Sequence, residues 1–295
     1  MLDFQSIDSA YTEILNILDK DGFLNKRRNG EVKECYHLMM CLSNPRHRVI
    51  QNSSRKISLS MLVGEFFWIL FGRDDLDFIS FYNSKMIEYS DNGKSLFGAY
   101  GKRLTSQWSG VIERILSDKL TRQAVLPIID KSDSTAMTKD FPCNNLLHFW
   151  SQDGTSLNLT VYIRSQDMFL GFPYDVFHWT MFLENMAMTC NMRLGKYYHI
   201  MQNCHYYIKD YEKVQLIKQA NSFVSLPMNS ILESCFDKSV ENRLIESESK
   251  TRQNGVYVNL FDEKSIWSDF IKIVQHRKSN KKVSLFDGAL TNVYR

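Results

Sequence analysis

A run of alternating polarity on either side of an Asp-Gly turn constrains the fold of this chain more than any other feature. An apolar and aromatic segment, 146–150, leads into Gln152-Asp153-Gly154, and an alternating segment follows it. One side of the second segment is aliphatic throughout: Leu157, Leu159, Val161 and Ile163. Asp-Gly between two such segments is typical of a β-hairpin. The sequence therefore predicts two paired antiparallel strands.

The predicted hairpin brings together two residues that are far apart in the sequence. Cys143 stands at the head of the first strand, and Arg164 stands at the end of the second. A guanidinium beside a thiol favours the thiolate, which is the reactive form of cysteine. Most reduced cysteines are instead small buried hydrophobes, so a purely structural role for Cys143 is the alternative.

The overall composition indicates an ordinary globular protein. Of 295 residues, 44% are hydrophobic and 23% are charged, and 36 basic against 33 acidic residues give a net charge of +3. This small charge gives no reason to expect nucleic-acid binding. The longest apolar run, Phe66 to Phe71, has six residues and is too short to span a membrane. The start, MLDFQSIDSA, lacks the basic and apolar regions of a signal peptide, so we expect a cytoplasmic protein.

The cysteines show neither the spacing of a metal site nor that of a disulfide framework. There are six of them: Cys35, Cys41, Cys143, Cys190, Cys204 and Cys235. We therefore expect reduced thiols and no bound metal.

Hydrophobic periodicity predicts helices and strands in an irregular order. Helical spacing covers 7–20, 59–82, 111–120, 174–194 with Gly195 as its C-cap, and 211–221. Strand patterns outside the hairpin cover 36–42, 122–130 and 196–207. The C-terminal third is less patterned. Because strands and helices do not alternate regularly and no linker interrupts them, we predict one α+β domain over residues 1–295.

Charged residues at three places have both a structural and a functional interpretation. Glu65 lies in the most apolar part of the predicted 59–82 helix, so it either occupies an exposed stripe or faces a polar site that would raise its pKa. Asp175 lies in the first turn of a predicted helix, where capping alone would explain it. The pair Arg27-Arg28 forms either a solvated turn or an anion-binding loop.

Five motifs in the same order resemble the thymidylate synthase and deoxycytidylate hydroxymethylase family. The most specific is RSQDMFLGFPYD, from Arg164 to Asp175, which is similar to the family pattern RSxDxFLGxPxN. Cys143 after Pro142 resembles the family's nucleophile. The other three motifs are the run from Glu65, similar to ELLW, the turn Tyr100-Gly101-Lys102, similar to VYGK, and the segment Cys204 to Tyr207, similar to THxY. The resemblance covers about residues 27–207 and implies a thymidylate-synthase-like mixed sheet with packed helices and a homodimer formed through the sheet.

The resemblance also implies catalytic roles. Cys143 would attack C6 of a pyrimidine nucleotide, which makes C5 nucleophilic toward the one-carbon unit of 5,10-methylenetetrahydrofolate. Glu65 would organise the water and the proton transfers around the ring. Tyr100 occupies a position in the family's catalytic turn.

Binding roles follow from the same resemblance. Phosphate ligands would be Arg28, Arg164, Ser165 and, from the second subunit, Arg122. Arg27 is the alternative to Arg28. The sugar hydroxyl would contact His205 and Tyr207. The folate would lie against Asp167, Gly171, Met86 and Tyr89.

A departure from the family pattern at Asp175 bears on the substrate. Thymidylate synthases have asparagine there, whose amide matches O4 and N3–H of uracil. Cytosine offers an amino donor and an N3 acceptor, which a carboxyl group matches if it is protonated or shares a proton with N3. Mispairing in a buried polar site strongly disfavours the wrong substrate. Asp175 therefore indicates a cytosine nucleotide.

A second departure bears on the product. Met86 and Tyr89 stand where thymidylate synthases have two tryptophans that shield an exocyclic methylene intermediate from water. Without that shield, water rather than hydride would reach the intermediate and give a hydroxymethyl group.

Taken together, the motifs predict a homodimeric one-carbon transferase that converts dCMP to 5-hydroxymethyl-dCMP with methylenetetrahydrofolate and water. Alternatives within the same chemistry are a thymidylate synthase, a dCMP methylase and a CMP hydroxymethylase. An alternative of another class is a non-catalytic nucleotide- or RNA-binding relative. If the chain is viral, its compartment is the host cytoplasm.

Overall fold

The structure is a computed structural model that describes residues 1–220, 225–231 and 238–294. The chain divides into two compact units, each assembled from three segments. Unit 1 comprises Met1–Ile57, Ser109–Ile129 and Cys143–Met228. Unit 2 comprises Ser58–Trp108, Asp130–Pro142 and Asn229–Arg295.

Unit 1 contains a mixed sheet, which confirms the predicted α+β class. Its strands in the described residues are β1 (Leu2–Phe4), β2 (Phe23–Arg27), β3 (Gly30–Leu42), β4 (Val125–Pro127), β5 (Asn144–Trp150), β6 (Ser156–Ile163), β7 (Gln166–Asp167) and β8 (Arg193–Tyr207). The order is β1-β3-β8-β6-β5-β4, with β2 beside β3 and β7 beside β8. The β1–β3, β6–β8 and β7–β8 pairs are parallel, and the others are antiparallel. The strand predicted at 36–42 begins earlier, and the one predicted at 122–130 is shorter.

The α-helices of the described residues are α1 (Ile7–Asp21), α2 (Leu59–Leu70), α3 (Leu76–Tyr82), α4 (Tyr100–Leu104), α5 (Trp108–Ser117), α6 (Phe172–Thr189), α7 (Tyr211–Gln219), α8 (Lys238–Asn254), α9 (Ile266–Ser279) and α10 (Gly288–Tyr294). Helix α1 follows its prediction, because Ser6 caps its first turn and Gly22 follows its last residue. The helix predicted to reach Asn221 ends at Gln219, and Asn221 lies outside the described residues.

The predicted hairpin is present as β5 and β6. Its aliphatic side packs into the core, where Leu157, Leu159, Val161 and Ile163 are at most 1% exposed. Asp153 holds the turn by accepting hydrogen bonds from the backbone N–H groups of Thr155 and Ser156. An Asx-type turn of this kind fixes the register of both strands.

The prediction of one helix over 59–82 is wrong, because the chain breaks at 71–75 into α2 and α3. Gly72 has a φ of +63°, and a Cβ there would lie 2.3 Å from Oγ1 of Thr105. Asp75 then caps α3, since its side chain accepts the N–H of Phe78 at 3.1 Å. The apolar pattern continues through the break, so periodicity alone does not detect it.

The prediction that Gly195 caps the preceding helix is also wrong. Helix α6 ends at Thr189, where Asn191 adopts a left-handed φ of 52° and the N–H of Met192 bonds to the carbonyl of Ala187 at 2.8 Å. This is a Schellman-type end with asparagine in the place of glycine. Gly195 lies inside β8, where β6 approaches so closely that a Cβ would be 2.4 Å from the carbonyl oxygen of Leu157.

Unit 2 gives the weakly patterned C-terminal third a regular structure. Its core contains an aromatic cluster, in which the ring of Phe66 stacks on Trp267 and meets Phe270 edge-on. The buried carboxylate of Glu248 accepts hydrogen bonds from Tyr82 and Arg252. Among the described residues, no helix has the length and apolar character needed to cross a bilayer.

The close approach at Gly195 leads to a stability prediction. Gly195→Ala should lower the free energy of unfolding by about 1–3 kcal/mol, because the methyl group would force β6 and β8 apart. The control is Gly110→Ala in α5, where a Cβ meets open space and alanine should stabilise the helix by about 0.5–1 kcal/mol. Urea unfolding measures both variants. Equal stability of Gly195→Ala and the wild type would contradict the close packing.

Candidate active site

Cys143 and Arg164 meet at the open end of the β5–β6 hairpin. The backbone N–H of Arg164 bonds to the carbonyl of Cys143 at 2.9 Å, which extends the strand pairing by one step. Nη2 of Arg164 then lies 3.7 Å from Sγ of Cys143. Both side chains are partly exposed. The proximity predicted from the hairpin is therefore confirmed, and it places a thiol beside a fixed positive charge.

Asp175 projects from the first turn of α6 and is held by side chains of two strands. Nδ2 of Asn144 donates to its Oδ1 at 3.0 Å, and Nε2 of Gln166 donates to its Oδ2 at 3.0 Å. Burial raises the pKa of Asp175 to about 6, although both hydrogen bonds act to lower it. Its environment is thus more specific than helix capping requires.

Behind these amides lie buried groups that the sequence analysis missed. Oε1 of Gln166 is 2.7 Å from Nε2 of His199, and Nδ1 of His199 is 2.6 Å from the hydroxyl of Tyr197. Burial lowers the pKa of His199 to about 3, so the imidazole is neutral. The indole N–H of Trp179 donates to Oδ1 of Asn144 at 3.1 Å. The sequence gives one indication of this buried group, which is that Tyr197 and His199 are polar residues at alternate positions of the strand predicted at 196–207.

Gly171 makes room for the contact between Gln166 and Asp175. A Cβ at this position would lie 3.0 Å from Nε2 of Gln166 and 3.3 Å from Oδ2 of Asp175. The family resemblance implies that Gly171 contacts the folate, and the structure adds this packing role.

His205 is oriented by a second hydrogen-bonded group. The buried carboxylate of Glu34 accepts from Nδ2 of Asn203 at 3.1 Å, so the oxygen of Asn203 faces Nδ1 of His205 at 2.8 Å. Burial lowers the pKa of His205. The neutral ring therefore carries its proton on Nδ1 and keeps Nε2 as an acceptor.

The two arginines of the N-terminal turn have different environments. Nε of Arg27 donates to Glu34 at 3.0 Å, and its Nη2 contacts Glu34 and the hydroxyl of Tyr36. Arg28 is exposed at the tip of the hairpin. Burial raises the pKa of Tyr207, the nearby charges of Asp167 and Cys143 raise it further, and the charge of Arg28 acts in the opposite direction. Tyr207 is therefore close to a predicted phosphate ligand (Arg28), a predicted folate contact (Asp167) and the predicted nucleophile (Cys143).

The remaining predicted residues of unit 1 lie at the edges of this region. Oδ1 of Asp167 accepts the N–H groups of Phe169 and Leu170, each at 2.8 Å, and shapes the loop before α6. Burial raises the pKa of Asp167. Ser165 is half-buried, and Arg122 is exposed ahead of β4. Their binding roles stay predictions.

Four predicted residues belong to unit 2. Glu65 is half-buried in α2, between buried neighbours, and Tyr100 begins α4. Met86 is half-buried and Tyr89 is exposed, both within the 3₁₀ helix Ser84–Tyr89. Both interpretations of Glu65 stay open, and the roles of the other three also stay predictions.

Among the described residues, no three His, Cys, Asp or Glu side chains cluster as metal ligands would. The five cysteines in those residues are thiols, and Cys235 lies outside them.

The buried Glu34 gives a pH-dependent stability prediction. Burial raises its pKa, but hydrogen bonds from Arg27, Asn25 and Asn203 outweigh that effect and lower the pKa to about 2 from 4.5. The stabilisation is therefore complete above about pH 4.5 and is lost as the pH falls toward 2. Glu34→Gln should be less stable than the wild type at about pH 7 and should approach it at about pH 3.

Urea unfolding at both pH values tests this expectation. Glu31→Gln, an exposed position on the same strand, is the control. A stability loss in Glu34→Gln that is the same at both pH values would contradict the ionic origin of the stabilisation.

Comparison with known proteins agrees with these observations. The family model described as thymidylate synthase matches residues 9–249. A deoxyuridylate hydroxymethyltransferase of Bacillus phage SP01 is 34% identical over 221 residues, which cover 68% of this chain and 57% of the phage protein. A deoxyuridylate hydroxymethyltransferase of Delftia phage PhiW-14 is 28% identical over 209 residues, which cover 63% and 58%. The chain thus spans less than two thirds of the length of either relative. Since the family model matches most of the sequence, the chain belongs to the thymidylate synthase family.

Proposed function

We propose that this chain hydroxymethylates C5 of a pyrimidine deoxynucleoside monophosphate, that the nucleotide is dCMP, and that the one-carbon donor is 5,10-methylenetetrahydrofolate. The observation that carries the proposal is the pairing of Cys143 and Arg164 beside a half-buried carboxyl group, Asp175. Family membership and the names of the two phage relatives support the reaction class.

Cys143 is the proposed nucleophile. Its Sγ bonds to C6, and the electrons of the C5–C6 double bond move through C4 toward N3. The guanidinium of Arg164, 3.7 Å from the sulfur, favours the thiolate before the attack. A reducing compartment keeps such a thiol from forming a disulfide, so we place the reaction in the cytoplasm.

Asp175 is the proposed partner of the pyrimidine edge. With a pKa of about 6, the carboxyl group can accept a hydrogen bond from the N4 amino group and share a proton with N3 as negative charge arrives there. The ionised carboxylate would repel O4 of uracil. Cytosine is therefore the better match.

The proposed phosphate ligands are Arg28, Arg164 and Ser165, with Arg122 supplied by a second copy. Arg28 is favoured over Arg27 because Glu34 already occupies the guanidinium of Arg27. Planar guanidinium groups around one dianion give a specific clamp.

The sugar is proposed to lie against His205 and Tyr207. Nε2 of His205 can accept a hydrogen bond from a sugar hydroxyl, because the ring proton is on Nδ1, which donates to the oxygen of Asn203. Asp167 and Gly171 are the proposed contacts of the folate.

A homodimer is supported by one face of the sheet in unit 1. Large side chains on this face are only half-buried, among them Leu146, Trp150, Tyr162, Tyr198 and Ile200. A second copy would cover them, and in that arrangement Arg122 would reach the phosphate of its neighbour.

A second candidate substrate is dUMP, because both phage relatives are named deoxyuridylate hydroxymethyltransferases. A protonated Asp175 would donate to O4 and accept from N3–H. Turnover of dUMP would therefore keep the nucleophile and the fold but would overturn the argument from the carboxyl group.

Separate incubations with dCMP and dUMP, each with methylenetetrahydrofolate, test the function. We expect 5-hydroxymethyl-dCMP and tetrahydrofolate by mass spectrometry. Cys143→Ala should abolish the product, whereas Cys190→Ala, at the end of α6, should retain it. A methylated product with dihydrofolate would indicate a thymidylate synthase or a dCMP methylase. Absence of any product or covalent adduct would indicate a binding protein.

The product prediction rests on Met86. Met86→Trp should shift the products from hydroxymethyl toward methyl, because a larger apolar wall excludes water from the intermediate. Ile87→Trp is the matched control, since Ile87 is a neighbour in the same helical turn and is 58% exposed. Mass spectrometry measures the ratio of hydroxymethyl to methyl product in each variant. An unchanged ratio in Met86→Trp would contradict a role for this position in excluding water.

A further inference from the structure

A chain of hydrogen bonds runs through the core of unit 1 and ends on both oxygens of Asp175. Its members, which we call the Asp175 chain, are buried polar side chains at most 1% exposed: Tyr197, His199, Gln166, Asn144 and Trp179. Strands β5, β7 and β8 and helix α6 contribute them, so four elements of the fold hold the chain in place.

One arm of the Asp175 chain takes its direction from the carboxylate itself. An ionised carboxylate only accepts hydrogen bonds, so Gln166 turns its amide nitrogen toward Asp175 and its oxygen toward His199. Nε2 of His199 must then carry the ring proton, and the bare Nδ1 accepts from the hydroxyl of Tyr197. The lowered pKa of His199 agrees with a single ring proton.

The other arm has a fixed direction for an independent reason. The indole nitrogen of Trp179 only donates, so Asn144 must turn its oxygen toward Trp179. The amide nitrogen of Asn144 then faces Asp175. Both neighbours of residue 175 are therefore donors.

Two donors on opposite sides restrict what residue 175 can be. A carboxylate accepts from both. With both amides in these orientations, an asparagine would place its own NH₂ group against a donor either way, and an unpaired donor is costly. Asparagine would fit only if Gln166 turned its oxygen toward residue 175 and the ring proton of His199 moved to Nδ1, because Trp179 keeps Asn144 as a donor.

We propose that Gln166 and Asn144 are positioning residues that determine nucleotide specificity, because the donors or acceptors that they turn toward residue 175 set its orientation and so the pyrimidine edge that the site reads. The inference rests on the proposed function for the identity of the bound base. The hydrogen-bond directions themselves do not depend on it.

Exchange of an amide and a carboxylate between neighbours gives a sharp test. In the double variant Asp175→Asn with Gln166→Glu, the new carboxylate accepts the NH₂ of Asn at 175 on one side. In Asp175→Asn with Asn144→Asp, it does so on the other side. Both exchanges preserve the net charge, but they hold the amide at 175 in opposite orientations. One orientation matches uracil and the other matches cytosine, so the two double variants should prefer opposite nucleotides.

Two measurements are made on the wild type, the single variants and the double variants. Calorimetry gives the dissociation constants of dCMP and dUMP, and urea unfolding gives stabilities. Each double variant should be more stable than the sum of its single changes predicts. The ratio of the two dissociation constants should differ by about tenfold or more between the double variants. Asp175→Asn with Gln202→Glu is the control, because Gln202 bonds to Tyr162 and His37 and its effect should be additive.

The outcomes separate this proposal from the proposed function. Additive stabilities, or the same nucleotide preference in both double variants, would overturn the proposal even if the wild type makes 5-hydroxymethyl-dCMP. Opposite preferences would support it even if the wild type makes no such product. Failure of the wild type to bind either nucleotide would overturn both. If Asp175→Asn alone does not fold, recovery of folding in the double variants supports the coupling, and continued failure to fold contradicts it.

Discussion

The position of the half-buried Asp175 carboxylate between two amide donors is the constraint on which the rest of the site depends. Removing a carboxylate from water is costly, and hydrogen bonds from Asn144 and Gln166 offset part of that cost. The part of that cost that the hydrogen bonds do not offset raises the pKa of Asp175 to about 6. A carboxyl group in that state can hold or release a proton close to neutral pH, which is what pairing with cytosine requires.

The mixed sheet provides this arrangement because it brings distant segments into register. Strand β8 pairs with both β6 and β7, and this pairing sets Gln166 beside Cys204 and Asp167 beside His205. The antiparallel β5–β6 pair brings Cys143 to Arg164. Cys143 and Arg164 therefore meet at one end of the β5–β6 pair and His205 lies on β8, so the positions of all three depend on the register of one sheet.

The sequence predicted the hairpin, helix α1, the α+β class and the proximity of Cys143 to Arg164, since local patterning determines each of them. It failed where long-range packing decides. Gly195 stands where a helix C-cap would be expected, but in the structure it allows β6 and β8 to approach each other closely. The Asp175 chain was also missed, because hydrogen bonds between buried residues such as Gln166 and His199 leave no periodic signal. Asp175 itself could be identified, because it interrupts a recognisable motif.

Competition between dCMP and dUMP in one reaction, at equal concentrations and with limiting methylenetetrahydrofolate, tests the central claim most directly. Both nucleotides meet the same enzyme, so the product ratio gives the ratio of kcat/KM without further assumptions. If the carboxyl group at residue 175 selects cytosine, 5-hydroxymethyl-dCMP will predominate. Predominance of 5-hydroxymethyl-dUMP would contradict the assignment of Asp175 as a cytosine-reading group.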